Sequence, residues 1–380
     1  MTITFYSKYL NIHQVAVADE LYSLLGDSFH FVATKSPQVN ELKGGEDDSS
    51  RSYCVKPYES TGDYQYAMQL AIKSDVCVFG GFSMEYAICR AKKNPNGLSF
   101  EMGERWLKKG WKNVLSPVFC KWWLNYMRYF RRANFYKLCA SAFASKDDEL
   151  LGVYLNRHFK WGYYTRMDNQ FIEEAPKLGA SSLEVTPLMW CARFLKLKHP
   201  ELPVQLAHRL KKKGYKFYID MFGSGVEVEH TKALIAELGV EDCVNLRGSL
   251  PNDEVLKEMR RHSIFLFTSD RNEGWGAVLN EAMSNGAVVV AADEIGSVPF
   301  LITDNVTGMI YRTCNLDSLY EKTTFLMEHP YELTRISNAA VKLMQDVWSS
   351  KRAALNLVQL AEDLQNRKEL SIIEGPCSVC

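Results

Sequence analysis

The sequence lacks the features that would assign the protein to several common classes. Its 45 basic and 45 acidic residues leave a formal net charge of zero, so no overall attraction to nucleic acid is expected. No uninterrupted apolar run reaches the ~18 residues that a membrane-spanning helix needs. No signal peptide opens the sequence, because Met1 to Phe5 leads directly into a strand pattern. We therefore expect a cytoplasmic protein that is neither secreted nor inserted into a membrane.

The ten cysteines also lack a pattern that would indicate disulfides or a zinc site. They are scattered, and many lie inside apolar runs, as Cys77 does, which is typical of reduced core residues in a cytosolic protein. The one close pair, Cys377 and Cys380, cannot complete a zinc site with only two thiols. We expect this pair to lie in a loose C-terminal tail.

What is present is enough apolar sequence for two domains. The chain has 380 residues, of which 47% are hydrophobic, and this length exceeds one ordinary core. Strand and helix periods alternate, which predicts an α/β protein with parallel sheets covered on both faces. The polar stretch from Thr165 to Glu184 predicts a hinge. We place the domains at residues 1–170 and 185–348, followed by a C-terminal segment at 349–380.

One segment of the second half carries the main functional signal. The apolar runs at 264–268 and 287–292 predict two buried strands. Between them a glycine-containing turn leads into a short helix, and Gly286 is suited to end that helix in the left-handed conformation. This order predicts a strand–loop–helix–strand unit in which the two strands are parallel.

The residues of this turn suit the binding of a nucleotide-activated sugar. Gly274 and Gly276 let a ligand approach the backbone closely, because they carry no side chain. The amides of residues 276–278 open the helix and can face an anion such as a diphosphate. Glu273 on the loop can accept hydrogen bonds from hexose hydroxyls, and Glu281, deeper in the segment, from ribose hydroxyls.

The pattern Glu-Gly-Trp-Gly-x-x-x-x-Glu-Ala-Met-x-x-Gly, which runs from Glu273 to Gly286, resembles the E-x7-E signature of retaining glycosyltransferase family 4, including bacterial polysaccharide-type members. The resemblance implies the GT-B fold, in which two Rossmann-like doubly wound domains face each other across a cleft that holds the active site. The first domain would bind the acceptor and the second the nucleotide sugar, and the final helix would cross back to the first domain. Glu273 would be catalytic, and the donor would be contacted by Gly274, Trp275, Gly276, Ala277 and Glu281.

Two basic residues match a second feature of that family. Arg193 follows the predicted strand that begins at Pro187, and Lys198 lies five residues further on. An arginine and a lysine at this spacing bind the donor's diphosphate in the family, which implies catalytic roles for both. Two fixed cations can neutralise the charge on a departing diphosphate, so we expect no metal or other cofactor. Gly223 and Arg247, at later strand ends, are further candidates for donor binding.

The first half contains two further candidates. His13 follows the first strand, at the sheet edge where ligands gather, and is a candidate acceptor or cleft contact. Residues 104–137 contain nine Lys and Arg residues but a single acid, Glu104, and they are interleaved with aromatic residues. This segment could contact membrane headgroups, stack nucleic acid, or be ordinary charged surface over an aromatic core. We favour the inner membrane surface over nucleic acid, because no nucleic-acid module surrounds the segment.

The sequence therefore predicts retaining transfer of a hexose from a nucleoside diphosphate sugar to an acceptor hydroxyl, in the assembly of cell-surface polysaccharide or glycolipid. The acceptor would be a glycan or a lipid-linked glycan, presented to a protein that is peripheral at the inner face of the cell membrane. A GT-B sugar-nucleotide epimerase is an alternative that would use the same donor cleft. A non-catalytic protein that binds sugar nucleotides or a membrane surface is another.

Overall fold

The computed structural model describes residues 1–36, 50–81, 83–165 and 185–380. The chain divides into two compact units. Met1–Arg166 and Val347–Cys380 form the first unit, and Met167–Asp346 forms the second. The predicted hinge lies outside the described residues, except for Thr165.

A seven-stranded parallel sheet forms the centre of the first unit. Its strands are β1 (Ile3–Ser7), β2 (Phe29–Ala33), β3 (Cys54–Val55), β4 (Val76–Phe79), β5 (Leu98–Gly103), β6 (Phe135–Cys139) and β7 (His158–Lys160). The α-helices that connect these strands along the chain are α1 (Val15–Leu25), α2 (Thr61–Lys73), α3 (Met84–Lys93), α4 (Pro117–Asn125) and α5 (Ala144–Leu150). The strand order is β3-β2-β1-β4-β5-β6-β7. Every residue of β1 and β4 is buried, because helices cover both faces of a parallel sheet.

The second unit repeats this plan with six strands. They are β8 (Thr186–Cys191), β9 (Phe217–Phe222), β10 (Val244–Gly248), β11 (Ile264–Phe267), β12 (Val288–Ala292) and β13 (Met309–Tyr311). The helices are α6 (Glu201–Lys212), α7 (Val228–Leu238), α8 (Asn252–Arg261), α9 (Val278–Ser284), α10 (Val298–Leu301), α11 (Leu316–Glu328) and α12 (Pro330–Asp346). The order β10-β9-β8-β11-β12-β13 is the doubly wound order of a Rossmann-like sheet, and the first unit has the same order with one added strand. The predicted fold class is confirmed.

The amphipathic helices of the second unit follow from simple spacing. In α6, Leu202, Leu206 and Leu210 recur every four residues and are buried, whereas Lys211 and Lys212 face solvent. A helix with this pattern is stabilised mainly by covering the sheet with its apolar face, since its intrinsic propensity alone is marginal.

A C-terminal helix, α13 (Ser350–Gln365), belongs to the first unit and packs against α1. The hydroxyl of Ser349 caps it by accepting a hydrogen bond from the amide of Arg352. Its buried positions include Ala353, Leu357 and Leu360, which give the helix an apolar face. Across the described ranges, no helix is both long and apolar enough to cross a membrane.

The chain after α13 does not form the loose tail that the sequence suggested. Cys377 donates its amide to the carbonyl of Lys160 (2.7 Å), and Lys160 donates its own to the carbonyl of Ser378 (2.8 Å). Phe159 and Val379 form an antiparallel bridge. The expectation was wrong because β7 is an edge strand whose backbone groups need partners, and the tail supplies them.

Candidate functional site

The loops that follow β8, β9 and β11 lie together at the carboxyl edge of the second sheet, because β8 lies between β9 and β11. The amide of Phe194 donates to the carbonyl of Ser224 (2.9 Å), which joins the first loop to the second. The amide of Asp270 donates to the carbonyl of Leu197 (2.9 Å), which joins the third loop to the first. The structure thus brings the predicted cations and the glycine-containing turn to one edge.

Two glycines make the contact between the first two loops feasible. At Gly223, with φ of +130°, a Cβ would lie 1.9 Å from the carbonyl oxygen of Ala192. At Gly225, with φ of +151°, a Cβ would lie 2.4 Å from the carbonyl oxygen of Phe194. Backbone atoms cannot move aside as a flexible side chain can, so each position requires glycine. The predicted candidate Gly223 therefore has a packing role, namely to hold the loop that carries Arg193 and Lys198.

Lys198 and Glu273 form an ion pair at the centre of this edge. The ammonium of Lys198 contacts a carboxylate oxygen of Glu273, and the two side chains are 12% and 15% exposed. The hydroxyl of Ser269 donates to the same carboxylate oxygen (3.2 Å). Arg193 is exposed in the same loop as Lys198. Two residues that are 75 positions apart in sequence are thus in direct contact.

The predicted strand–loop–helix–strand unit is present as β11, α9 and β12, with the two strands parallel. Gly286 ends the helical segment at φ of +83°, as predicted. Gly276 has φ of +80°, and a Cβ there would lie 2.3 Å from the ring of Phe267 and 3.3 Å from Cγ of Glu273. Gly276 and Ala277 are partly exposed at the start of α9, whereas Gly274 is buried.

The structure corrects the expectation for the side chain of Trp275. Its ring is fully buried, and its indole N–H donates to the side-chain oxygen of Asn280 (2.9 Å). The hydroxyl of Ser297 donates to its carbonyl oxygen (2.5 Å). The ring therefore anchors the turn to the core.

Glu281 is a buried carboxyl group on α9. Burial raises its pKa to about 7, and among the described residues no hydrogen-bond donor reaches its carboxylate. It lies near the end of β8, where burial and the charge of Glu281 raise the pKa of the Cys191 thiol to about 12. A buried carboxyl group that packing alone leaves unsatisfied is costly, and such groups cluster at functional sites.

Arg247 is held by a neighbouring acid at the end of β10. Its guanidinium donates to both carboxylate oxygens of Asp220, at 3.0 and 3.4 Å. Burial alone would raise the pKa of Asp220, but hydrogen bonds from His262, Arg247 and Asn245 outweigh it and lower this pKa to about 2. No local pattern predicts this network, because its members lie on β9, on β10 and at the end of α8. A donor contact by Arg247 stays a prediction.

Asp220, His262 and Glu258 have ligand atoms within 4.8 Å of one another, which is close enough for a metal ion. The atoms that would bind a metal ion, however, already have protein partners. One imidazole nitrogen of His262 is 2.6 Å from the carbonyl of Glu258, and the other is 3.3 Å from Asp220. Arg247 also places a positive charge on Asp220, so the chemistry of this cluster does not suit a cation.

His13 lies at the carboxyl edge of the first sheet, in the loop after β1. Its ring stacks on Tyr163 with the ring centres 5.8 Å apart. The hydroxyl of Tyr163 donates to Glu104 (2.8 Å), which also contacts Lys108. His13 therefore belongs to a polar group built from the loops after β1, β5 and β7. Sequence reasoning missed Tyr163, because nothing local relates it to His13.

Comparison with known proteins adds a family match over part of the chain. Residues 186–343 match the family model described as Glycosyl transferases group 1. The amylovoran biosynthesis glycosyltransferase AmsK of Erwinia amylovora is 32% identical over 124 residues, which are 31% of this chain and 30% of that protein. The poly(glycerol-phosphate) alpha-glucosyltransferase of Bacillus subtilis is 29% identical over 127 residues, which are 33% of this chain and 18% of that protein. The chain thus spans less than a third of the length of these relatives.

Similarity to solved structures extends over both units. The crystal structure of Anabaena Alr3699/HepE in complex with UDP matches with a TM-score of 0.68 and 15% identity, over 96% of this chain and 100% of that chain. At this identity the likeness concerns the fold. The two Rossmann-like units are those of the GT-B fold, as the sequence predicted.

Proposed function

We propose that the protein is a retaining glycosyltransferase that moves a hexose from a nucleoside diphosphate sugar to an acceptor hydroxyl, in the assembly of cell-surface polysaccharide or glycolipid. The observation that carries the proposal is the grouping of Arg193, Lys198 and Glu273 at one sheet edge, inside the segment that matches Glycosyl transferases group 1. The names of AmsK and of the alpha-glucosyltransferase support sugar transfer, and the UDP in Alr3699/HepE supports a nucleotide donor.

Arg193 and Lys198 hold the donor's diphosphate in this proposal. As the bond to the sugar breaks, negative charge grows on the departing phosphate, and two fixed cations stabilise it without a metal. Lys198 exchanges its contact with Glu273 for the diphosphate when the donor binds. Glu273 is then available to accept hydrogen bonds from the sugar hydroxyls, so one ion pair supplies both groups at the moment they are needed.

The remaining donor contacts follow from the same edge. The backbone of residues 274–277 faces the diphosphate, chiefly through Gly276 and Ala277, which are partly exposed. The carboxylate of Glu281 accepts hydrogen bonds from the ribose hydroxyls. These bonds satisfy a carboxylate to which the described residues donate no hydrogen bond. Arg247 contacts the nucleobase in this proposal. No carboxylate is assigned as a covalent nucleophile, and the departing phosphate guides the acceptor to the same face of the sugar, so that configuration is retained.

The acceptor, a glycan or a lipid-linked glycan, is assigned to the first unit. His13, Tyr163 and Glu104 offer an imidazole, a phenol and a carboxylate at the carboxyl edge of the first sheet. Groups of this kind bind hydroxyls through directional hydrogen bonds.

A donor screen followed by a transfer assay tests the proposal. Nucleotide sugars that bind the native state raise the melting temperature, so a panel of uridine, guanosine, adenosine and thymidine donors identifies the donor. Transfer is then measured for the wild type and for Arg193→Ala, Lys198→Ala and Glu273→Ala. We expect each variant to lose ~100-fold or more in kcat/KM, whereas Lys212→Ala, an exposed change on α6, keeps the wild-type rate. Wild-type transfer by all three site variants overturns the proposal.

The same materials separate the alternatives. Incubation with the donor and no acceptor interconverts sugars only if the protein is an epimerase, and we expect the donor sugar to remain unchanged apart from slow hydrolysis. A protein that binds the donor but transfers nothing to glycan or lipid-linked acceptors would be a non-catalytic binding protein.

A further inference from the structure

The segment between β5 and β6 exposes large apolar side chains. Trp111, Leu115, Val118 and Leu124 are between 61% and 83% exposed, and they fall within 14 residues of sequence. Single exposed apolar residues are ordinary on a protein surface, but several close together mark a surface that contacts something else.

Helix α4 shows why these side chains remain outside the core. Phe119, Trp122 and Tyr126 lie on one side of the helical segment and are buried in the aromatic core of the first unit. Leu124 lies on the opposite side and is exposed, together with basic residues at helical spacing, and Val118 is exposed in the first turn. The segment thus has an apolar face turned inwards and a second face, turned outwards, that mixes apolar and basic side chains.

The charges of this segment nearly all have one sign. No Asp or Glu occurs between residues 105 and 146. Of the nine basic residues in 104–137, Arg105, Lys108 and Lys137 are paired with acids. The other six are exposed and form no ion pair in the described part of the chain: Lys109, Lys112, Lys121, Arg128, Arg131 and Arg132. We call these six residues and the four exposed apolar ones the outer face.

We propose that the outer face docks on the headgroup region of an anionic lipid bilayer, with its apolar side chains in the interface and its cations against the lipid phosphates. Basic and apolar side chains on one exposed surface are the combination that holds a protein on such a membrane without crossing it. The docking deepens the proposed function by bringing the protein to a lipid-linked acceptor, but it depends on surface residues alone.

Two observations favour a bilayer over other occupants. Nucleic-acid binding through stacking needs exposed aromatic planes, yet the other aromatic residues of 104–137, a fully described segment, are buried or half-buried, and Trp111 alone is exposed. The other exposed apolar side chains are aliphatic and suit acyl chains. A second copy of the chain would bring six uncompensated cations against six more, which opposes self-association through this face.

Vesicle flotation of the full chain tests the docking. We expect binding to phosphatidylcholine vesicles that contain phosphatidylglycerol, weak binding to phosphatidylcholine alone, and loss of binding as salt rises. The triple variants Lys112→Ala/Lys121→Ala/Arg128→Ala and Trp111→Ser/Leu115→Ser/Leu124→Ser should each lower the partition coefficient at least ~10-fold. Val226→Ser/Ile373→Ser, which alters exposed apolar residues elsewhere, should bind as the wild type does.

The outcomes are distinguishable from failure of the proposed function. Equal flotation with neutral and anionic vesicles, or anionic binding that neither triple variant weakens, overturns the docking. The docking is also overturned if the protein does not bind vesicles but retains a single-stranded oligonucleotide, or if it does not bind vesicles and forms a dimer that the apolar triple variant abolishes. Melting temperatures of the variants confirm that they fold. Transfer to a water-soluble acceptor should be unchanged in them, and its absence in the wild type would count against the enzyme and not against the docking.

Discussion

Each of the two units contains a lysine–glutamate pair, and the pairs differ in how completely the protein satisfies them. In the first unit Lys137 and Glu101 are register partners on β6 and β5, and the ammonium and carboxylate are 2.9 Å apart. Glu101 also accepts hydrogen bonds from the indole of Trp122 (3.0 Å) and the hydroxyl of Tyr154 (2.7 Å). In the second unit the carboxylate of Glu273 has Lys198 and a longer bond from Ser269.

The difference separates a structural ion pair from one that can serve a ligand. Lys137 is fully buried, and although burial lowers the pKa of a lysine, the charge of Glu101 outweighs it and raises this pKa. Nothing further can enter such a network without breaking it. Glu273 lies on a loop and retains unused acceptor capacity, so in the proposed function sugar hydroxyls replace the lysine. The same two residue types thus have different roles, which their hydrogen-bond partners determine.

The largest expected effect comes from breaking the buried pair. Lys137→Met should destabilise the protein by ~3–5 kcal/mol, because it leaves the carboxylate of Glu101 without its cation. Urea unfolding followed by tryptophan fluorescence measures the loss. The double variant Lys137→Met/Glu101→Leu should recover part of it, because both charges are then removed together. A wild-type unfolding midpoint for Lys137→Met would contradict the comparison.

The matching change in the second unit should affect activity instead of stability. Lys198→Ala should lower kcat/KM by ~100-fold, or about 2.7 kcal/mol, while its urea midpoint moves far less than that of Lys137→Met. Steady-state kinetics with the donor found by thermal shift measure the first quantity. If Lys198→Ala unfolds as readily as Lys137→Met, then the loop pair is structural as well.

A smaller effect is expected from the loop that carries Lys198. Gly223→Ala places a Cβ against the carbonyl of Ala192 and should cost ~1–3 kcal/mol, with weaker donor binding because the loop must shift. Gly26→Ala is the control, since it also has a positive φ of +54° but meets no atom within 4 Å. It should lower stability without changing donor affinity in calorimetry. Equal donor affinity in both variants would argue against the loop contact.

Titration of Glu281 should change the affinity for the nucleotide sugar about tenfold between roughly pH 6 and pH 8, because the raised pKa of this carboxyl group is about 7. In the proposed function ribose hydroxyls donate to the ionised form, so the affinity should rise with pH. Stability without the donor moves the other way. A carboxyl group whose pKa is raised on folding contributes stability below its unfolded pKa, and this is lost as pH rises through about 7. Glu281→Gln should flatten both profiles, and a wild-type profile in that variant would remove the assignment.

The smallest effect is expected at Arg247. The side chain of Arg247 is half exposed although Asp220 is buried, and other partners of Asp220 remain, so Arg247→Ala should cost about 1 kcal/mol in urea unfolding. Asn245 and His262 continue to satisfy the acid. A larger drop in donor affinity than in stability would support its predicted place beside the nucleobase, and unchanged affinity would remove it.

Local patterns predicted the elements, and they failed where distant segments meet. The runs that became β11 and β12, and the glycine that ends the helical segment, are readable because apolar spacing and backbone freedom are local properties. The contact between Lys198 and Glu273 depends on β8 lying beside β11, which no periodicity shows. The burial of Trp275 has the same origin, because a tryptophan between two glycines fits a ligand loop and a core anchor equally well.

The first sheet shows a second limit of sequence reading. Strand β7 has only three residues, so its pattern is too short to reveal an edge that needs a partner. Residues 377–380, which pair with β7, lie more than 200 positions further on, where composition suggested only a tail. In the aromatic segment before β6, composition indicated both a core and a surface, and the structure assigns the aromatic rings mostly to the core.

The return of α13 and residues 377–380 to the first unit bears on how the protein is made. The second unit is one uninterrupted stretch, so it can close as soon as it has left the ribosome. The first unit, although its sheet is synthesised earlier, must wait for residues 347–380 to cover α1 and β7. The unit that is translated first is therefore completed last, and until then the edge of β7 lacks the backbone partners that residues 377–380 supply.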